Sequence, residues 1–448
     1  MYKQSGTDRD TIDLCGIGIG PSNLSLAALL YHKVKYIDFE FFDARKELSW
    51  HSGMLFPDAN LQNSFLKDLV TLVDPSNPYS FLCFLAERGR LYRFLTARFS
   101  SVKRKEFDQY LRWVSQSIPH LNFNQKVEDI EFNDVKQQFI VHTSEKTIAT
   151  SHLALGTGLT PKVPDCARPH LGDDVFHSIH YLQKKIQFAG KRVTVIGGGQ
   201  SGAEIVSELL SNSHALPKQV YWISSRRNFL PIDDSPFTNE YFVPRYSDYF
   251  YGLPQQVQKT LVAEQTLASD GITESLLSSI YQRLYQLEFL EQSPNIAKLI
   301  PNARLWELRR DYNSWHLIVR SQLESVQLNA DVIILATGFE YRIPDYLKSL
   351  SHRLEWREGQ PVINPDFSVK WDGSDSNRIY TQNCSRLQRG VADPNLSLMA
   401  WRSAIIVNSL VGRMVYPRSQ YDGLIDWELQ SDHAHQTLAY EIIERLSA

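Results

Sequence analysis

Apolar and polar positions along the chain change period several times, and each change predicts an element. Ile12–Cys15 is a short apolar run, which predicts a buried strand. Leu24, Ala27, Ala28 and Tyr31 then recur at helical spacing and predict a helix over Pro21–His32. Tyr36–Phe42 predicts a second strand, ending at Asp43. Phe107, Tyr110, Leu111, Val114 and Ile118 mark one face of a helix over 104–118. Between about 122 and 158 the pattern is that of strands, including Phe139–His142 and Leu153–Leu155, and it ends at Gly156-Thr157-Gly158. Pro161, Pro164 and Pro169 mark a linker. A second strand–helix–strand unit follows, with strand 192–196, helix 201–211 and strand Val220–Ser224. Residues 230–290 break the rhythm: Pro231, Pro236 and Pro244 sit among aromatics, before helical stretches over 254–267 and 274–291. Strands resume at 314–320 and 331–336, and a last helix is predicted over 396–412. The expected fold is α/β, with two Rossmann-like units and a small helical insertion.

Both strand–helix–strand units carry a glycine turn. The first reads Gly16-Ile17-Gly18-Ile19-Gly20-Pro21 and the second Gly197-Gly198-Gly199-Gln200-Ser201-Gly202. Such turns serve a dinucleotide: one glycine lets the strand turn sharply, as expected of Gly16. A second, here Gly18, lets the backbone approach a pyrophosphate, and the third lets helix pack on strand. Gly197, Gly199 and Gly202 match this pattern fully. The first loop has Pro21 in the third place, with Gly20 before it, and proline is tolerated in the first turn of a helix. Asp43 stands where an acid would take a ribose hydroxyl. The second unit ends instead in Ser224-Ser225-Arg226-Arg227. Arg226 and Arg227 would neutralise a 2′-phosphate, which favours NADPH while leaving NADH possible; the bland alternative is two solvated arginines. Two such loops imply FAD or a similar dinucleotide beside NADPH, with electrons passing between them. A disulfide reductase would need a redox cysteine pair after the first unit, and only Cys83 lies near. A flavin monooxygenase and an NADPH-linked flavin reductase stay open.

Composition narrows the class. At 448 residues the chain supports more than one core. The expected division is 1–185 with 345–448 for FAD and 186–344 for NADPH, with 230–292 as a helical substrate-binding insertion. A net charge of -3 provides no field for nucleic acid. No apolar run approaches the ~18 residues of a membrane span, and the polar Met1–Asp10 does not resemble a signal peptide. A cytoplasmic enzyme is expected. Cys15, Cys83, Cys166 and Cys384 fit neither a zinc site nor a C-x-x-C pair, so no metal site is expected.

Longer motifs carry a more specific likeness. They are Trp50-His51-Ser52-Gly53-Met54, Leu61-Gln62-Asn63-Ser64-Phe65-Leu66-Lys67-Asp68-Leu69-Val70, Asn77-Pro78-Tyr79-Ser80-Phe81, Asn239-Glu240-Tyr241-Phe242, Ser269-Asp270-Gly271-Ile272-Thr273, Ala336-Thr337-Gly338-Phe339 and Leu396-Ser397-Leu398-Met399-Ala400-Trp401-Arg402. Together with the second glycine loop, they resemble the microbial N-hydroxylating flavin monooxygenases over nearly the whole chain. These enzymes hydroxylate the side-chain amine of lysine or ornithine, or one end of a diamine, for hydroxamate siderophores. The resemblance implies that NADPH reduces FAD, that dioxygen forms a C4a-hydroperoxyflavin, and that its distal oxygen goes to the substrate nitrogen. It implies that Lys67 binds a substrate carboxylate and that Asn239 contacts the α-amino or carboxylate end. Gln62 would lie near the flavin ring, and Gln62 and Asn239 are the catalytic candidates. Trp50, His51 and Leu398 would fall in FAD-contacting motifs. A homotetramer or homodimer is implied as well. One motif departs: the stretch from Gly172 to His177-Ser178 is a residue longer than the related G-x-x-x-H-S linker, so His177 receives no role.

The substrate amine must be neutral to attack, although a free alkyl amine has a pKa of about 10.4, so the pocket must desolvate it or offer its proton an acceptor. Ornithine enzymes typically show Asn-Tyr-Ser where this chain has Gly271-Ile272-Thr273, and diamine enzymes often lack a lysine at the position of Lys67. L-Lysine is therefore expected, with putrescine or cadaverine as the alternative. An S- or carbonyl-oxygenating flavin monooxygenase and a non-catalytic flavin-bound redox sensor are the competing classes.

Overall fold

The computed structural model describes residues 11–99, 101–312, 314–417 and 423–428. Met1–Asp10 and most of the segment beyond 417, assigned from the sequence to the first domain, lie outside the described residues. The strand Thr11–Ile17 sits at the middle of the first sheet. It pairs in parallel with Phe39–Asp43 on one side and with Thr147–Leu155 on the other. Leu121–Phe123 extends one edge in parallel. Gln138–Thr143 and Val127–Asn133 extend the other edge as an antiparallel meander. The glycine helix, Pro21–Lys33, starts with a proline at its first turn, where the missing N–H costs nothing. It buries every residue from Ser22 to Leu30 and packs against the helix Met399–Val411. Leu24, Leu26, Leu29 and Leu30 are fully buried, each contributing ~1.5–3 kcal/mol.

The second sheet is wholly parallel. Its order is Ala297–Ile300, Gln219–Ile223, Arg192–Ile196, Val332–Leu335 and Val175–His177. The presence of Val175–His177 in this sheet moves the crossover ahead of the expected boundary at 185/186. The chain passes between the units twice, and the two passages pair with each other. Thr160–Pro161 runs antiparallel to Phe339–Glu340. After the second passage, Ile379–Thr381 rejoins the first sheet beside Leu153–Leu155. A separate antiparallel sheet, Arg304–Asp311, Ser314–Arg320 and Ser325–Ala330, covers one side of the second unit.

Several predicted elements shift for local reasons. The second strand begins at Phe39 rather than Tyr36, because Tyr36 is exposed and the Asp38 carbonyl accepts from the Asp13 and Leu14 N–H groups. The insertion breaks into Pro244–Gly252, Gln255–Glu264, Thr266–Asp270 and Glu274–Tyr285, the last running into a wider π turn over Gln286–Leu290. The last helix starts at Met399, after a tight turn that the Asn395 side chain caps by accepting from Ser397 N. No helix among the described residues is long and apolar enough to cross a membrane.

One more feature of the core positions the site. Phe81, Phe84, Phe94, Phe107, Tyr110 and Trp113 pack ring against ring beneath the 61–80 loop. Asp68 pins that loop from inside. Its carboxylate is 2% exposed and accepts from Val70 N, Thr71 N, Thr71 Oγ1 and Phe81 N. Burial raises its pKa against the pull of those donors.

Candidate functional site

Each glycine turn opens into its own cavity. A cavity of about 720 Å³ surrounds the first turn, and one of about 960 Å³ surrounds the second. Leu159, Ser178, Ser201, Phe339, Pro394 and Asn395 line both, so the two cavities share a wall.

The first turn lies at Gly18, not at Gly16. Gly16 sits inside the strand, where a Cβ would come within 1.9 Å of the Phe41 ring, so it is glycine for packing and not for a turn. Gly18 has φ +87°, and a Cβ there would lie 2.7 Å from the Gly156 carbonyl oxygen. Gly20 and Pro21 line the cavity, and no side chain caps the helix that starts there. Its free N–H groups and dipole suit a pyrophosphate. Gly197 has φ +138° and lies against Ala336, while a Cβ on Gly202 would come 2.1 Å from the Gly197 carbonyl oxygen. Gly202 thus serves the close packing expected of it. Gly197, Gly199, Gln200 and Ser201 line the larger cavity, and Gly199 caps its helix without a side-chain bond.

Asp43 lines the first cavity, but it is not a free acid. One oxygen accepts from Ile19 N at 2.8 Å; the other accepts from Arg45 N at 2.8 Å and Arg45 Nε at 2.9 Å. Arg45 Nη2 closes a 2.6 Å ion pair. Burial works against this carboxylate, yet the Arg45 hydrogen bonds and charge hold its pKa below the usual range. A ribose would therefore meet an Asp43–Arg45 pair, and Arg45, two residues beyond the expected acid, is a site residue that the glycine pattern does not announce. Asn23 is another. It is fully buried, and its Nδ2 donates to Ile17, Gly18 and Ala154 carbonyls, holding the turn shut from behind.

Trp50 and His51 line the same cavity, with ring centroids 4.7 Å apart. His51 adopts a left-handed φ of 51°. Its ring is exposed at the wall of the cavity, with protein crowded around it. That crowding, with the charge of Arg104 adding to it, pushes its pKa down to about 4, so the ring is neutral near pH 7. His177 is buried and serves as structure: its Nε2 donates to Gly338 and its Nδ1 accepts from Ile179 N.

Gln62 lines the first cavity and Gln200 the second, and they meet. Gln62 Nε2 lies 3.4 Å from Gln200 Oε1. Gln200 Oε1 also accepts from Thr273 N, at the start of an insertion helix, and Gln200 Nε2 donates to Glu204. Glu204 takes two hydrogen bonds from Arg104, at 2.8 and 2.7 Å. Both units and the insertion therefore converge on Gln200.

Lys67 and Asn239 stand outside the walls of both cavities, and Lys67 is tied to the first through Ser397. Lys67 Nζ donates to Ser397 Oγ at 3.3 Å and lies 5.9 Å over the Phe242 ring. Ser397 Oγ in turn donates toward Asn63 and Asn395, both in the wall of the first cavity. Burial lowers the Lys67 pKa, and among the described residues no carboxylate pairs with it. Asn239 lies in the turn Thr238–Phe242, the same turn that brings Phe242 to Lys67. Its Nδ2 donates to the Asp234 carbonyl. Its Oδ1 accepts from no described residue.

Leu398 and Arg227, like Lys67, Asn239, Gly16 and Gly202, line neither cavity. Leu398 is 3% exposed and packs with Phe242, Ala268, Val391 and Ala392, because its tight turn points Leu396 outward in its place. Arg227 is exposed and lines neither cavity, whereas Arg226 lines the larger one with its guanidinium bonded to the Gly198 and Asp270 carbonyls.

Comparison with known proteins agrees with this geometry. A family model described as L-lysine 6-monooxygenase/L-ornithine 5-monooxygenase matches residues 10–341. The L-lysine N6-monooxygenase of Escherichia coli is 38% identical over 422 residues, covering 94% of this chain and 99% of that one. The FAD-bound structure of the cadaverine monooxygenase of desferrioxamine biosynthesis from Erwinia amylovora matches with a TM-score of 0.88 at 30% identity, over 94% of this chain and 99% of that one. The Kutzneria ornithine N-hydroxylase, solved with reduced FAD, NADP+ and L-ornithine, matches with a TM-score of 0.83 at 30% identity, over 90% and 99%. With its paired glycine cavities and a match over most of its length, the chain belongs to the L-lysine 6-monooxygenase/L-ornithine 5-monooxygenase family.

Proposed function

We propose that this flavin-dependent monooxygenase N-hydroxylates the side-chain amine of L-lysine, for hydroxamate siderophore synthesis, using FAD, NADPH and O2. The observation that carries the choice of amine is Lys67: a half-buried cation with only a hydroxyl and a ring for company. Burying a cation without a counter-ion is costly, and the α-carboxylate of an amino acid would supply one. A diamine has no such group. Asn239 Oδ1, free to accept, would take the α-ammonium.

The residues fit the two nucleotides. Gly18, Gly20 and the uncapped helix after Pro21 would hold the FAD pyrophosphate, with Asp43 and Arg45 at its ribose. Gly197, Gly199, Gln200 and Ser201 would hold that of NADPH. Flavin reduced by NADPH supplies the activated oxygen for transfer to nitrogen. The protein does the rest. Leu159 and Phe339, in the shared wall, would help to keep water from the space between the cavities once the nucleotides are bound. Gln62, 3.4 Å from Gln200, would stand beside the flavin where the two cavities meet. The cytoplasm, with its NADPH pool, is the proposed compartment, and the family resemblance supports a homo-oligomer, which sedimentation would measure.

The test is a hydroxylamine assay on the yellow holoenzyme with NADPH and O2, running L-lysine, L-ornithine, putrescine and cadaverine in parallel. Product from lysine in large excess is expected. Product mainly from a diamine would keep the reaction and overturn the amine. NADPH oxidation and product that no amine alters would favour a redox sensor.

A further inference from the structure

Six cationic side chains line the larger cavity: Lys162, Arg168, Arg226, Arg304, Arg342 and Arg386. Four are already engaged. Arg168 pairs with Asp165 at 2.9 Å, Arg342 with Glu340 at 2.6 Å and Arg386 with Asp270 at 3.2 Å. Arg226 donates to two carbonyls, those of Asp270 at 2.7 Å and Gly198 at 3.3 Å. Among the described residues, the side chains of Lys162 and Arg304 make no hydrogen bond or ion pair.

Their places in the sheet separate these two. In a doubly wound sheet, the strand after the glycine helix carries the adenosine ribose at its carboxyl end. Here that strand is Gln219–Ile223, followed by Ser224-Ser225-Arg226. The neighbouring strand Ala297–Ile300 returns the chain to the same end. Two backbone hydrogen bonds then stitch its continuation to that corner: Asn302 N to the Arg226 carbonyl at 2.7 Å, and Ala303 N to the Ser224 carbonyl at 2.8 Å. Arg304 is the next residue, and it lines the cavity beside Ser225. Lys162 is stitched to Gly338 at 2.9 Å, beyond the strand Val332–Leu335 on the other side of the glycine strand.

We propose that Arg304 reads the 2′-phosphate of NADPH, with Ser225 as a hydroxyl donor and Arg226 as a fixed part of the floor. This rests on the larger cavity being the NADPH site. It moves the specificity role from Arg226, already bonded to two carbonyls, and Arg227, exposed and outside the cavity, to a residue on a different sheet. A guanidinium without a partner is free to take a phosphate in a forked pair, and it loses no existing contact when it does.

The test is calorimetric titration of adenosine 2′,5′-bisphosphate and adenosine 5′-monophosphate into the FAD-loaded protein. Wild type, Arg304→Ala, Arg304→Lys and Arg227→Ala are compared. Arg304 is exposed, and circular dichroism would verify that the variants keep the fold. Arg304→Ala is expected to weaken the bisphosphate about 10-fold or more and the monophosphate less than about twofold, as a charged hydrogen bond of about 1.5–3 kcal/mol would require. Arg304→Lys should fall between, and Arg227→Ala should change neither. Equal losses on both ligands, no loss, or a loss carried by Arg227→Ala overturns the assignment. A wild type that binds the bisphosphate no better than the monophosphate overturns it by a different route, because the cavity reading falls with it.

Discussion

Lys67 Nζ donates to Ser397 Oγ across 3.3 Å, and that hydroxyl is the cation's sole hydrogen-bond acceptor among the described residues. Burial lowers the lysine's pKa, so the site favours a ligand that brings its own negative charge. Lys67→Met keeps the aliphatic stem over Phe242 and removes the charge. It is expected to raise the KM for L-lysine about 10–100-fold, the value of one charged hydrogen bond, and to leave that for cadaverine nearly unchanged. Flavin content should stay at wild-type level. Steady-state kinetics with both amines would check this, and an equal rise for both would remove Lys67 from the carboxylate.

At Gly18 the backbone conformation and the space both exclude a side chain. Its φ of +87° is strained for any L residue, and a methyl group would stand 2.7 Å from the Gly156 oxygen. Gly18→Ala is expected to purify largely without flavin, measured as the ratio of 450 nm absorbance to protein. Gly20→Ala, whose Cβ would meet only Gly156 O at 3.7 Å, should retain more. A fully loaded Gly18→Ala would show that the turn tolerates displacement.

The glycine helices were legible because their signal is local. A strand, a turn that needs small residues and an apolar stripe at helical spacing all lie within thirty or so residues, and Pro21 marks the start. The helix Arg104–Ser117 was legible for the same reason, from its five apolar positions. Val175–His177 was not. Three residues carry no period, and the strand forms because Val332–Leu335 offers an open edge. Arg304–Asp311 hides behind its three arginines, all exposed, which break the alternation of apolar and polar positions. In the site, Lys67 was expected from the family resemblance, whereas Arg45 and Arg304 acquire their places from hydrogen bonds that spacing does not encode. Leu398 shows the converse: its motif matched, but within the turn it is Leu396, two residues earlier, that stands at the wall.

Arg104 and Glu204 join the two nucleotide units through a buried, two-pronged ion pair, and Gln200 shares the carboxylate. Removing one partner leaves the other charge buried alone, which costs about 3–5 kcal/mol. Glu204→Gln is therefore expected to lower the denaturant midpoint clearly. The pair Arg104→Met with Glu204→Leu, which removes both charges, should be more stable than either single change. If the double variant is the sum of the singles, the two residues are not coupled across the units.

His177 gives the stability a pH dependence of defined sign. The Gly338 oxygen only accepts, so Nε2 carries the proton and Nδ1 receives the Ile179 N–H. A second proton on Nδ1 would set N–H against N–H. Burial, outweighing the Gly338 bond, pushes the pKa down to about 4, against about 6.5 in an unfolded chain. Below pH 6.5 the unfolded chain takes up a proton that the folded one refuses. Stability is thus full above about 6.5, falls as the pH drops toward 4, and levels off below. His152, half-buried and also pushed down to about 4, adds to the same window. His177→Gln is expected to be less stable at pH 7, yet to lose about 1–2 kcal/mol less than wild type between pH 7 and pH 5. Denaturant titrations at the two pH values measure this difference. Parallel losses would mean that His177 takes up its proton in the folded state as readily as in water, and that the Ile179 bond does not hold its ring neutral.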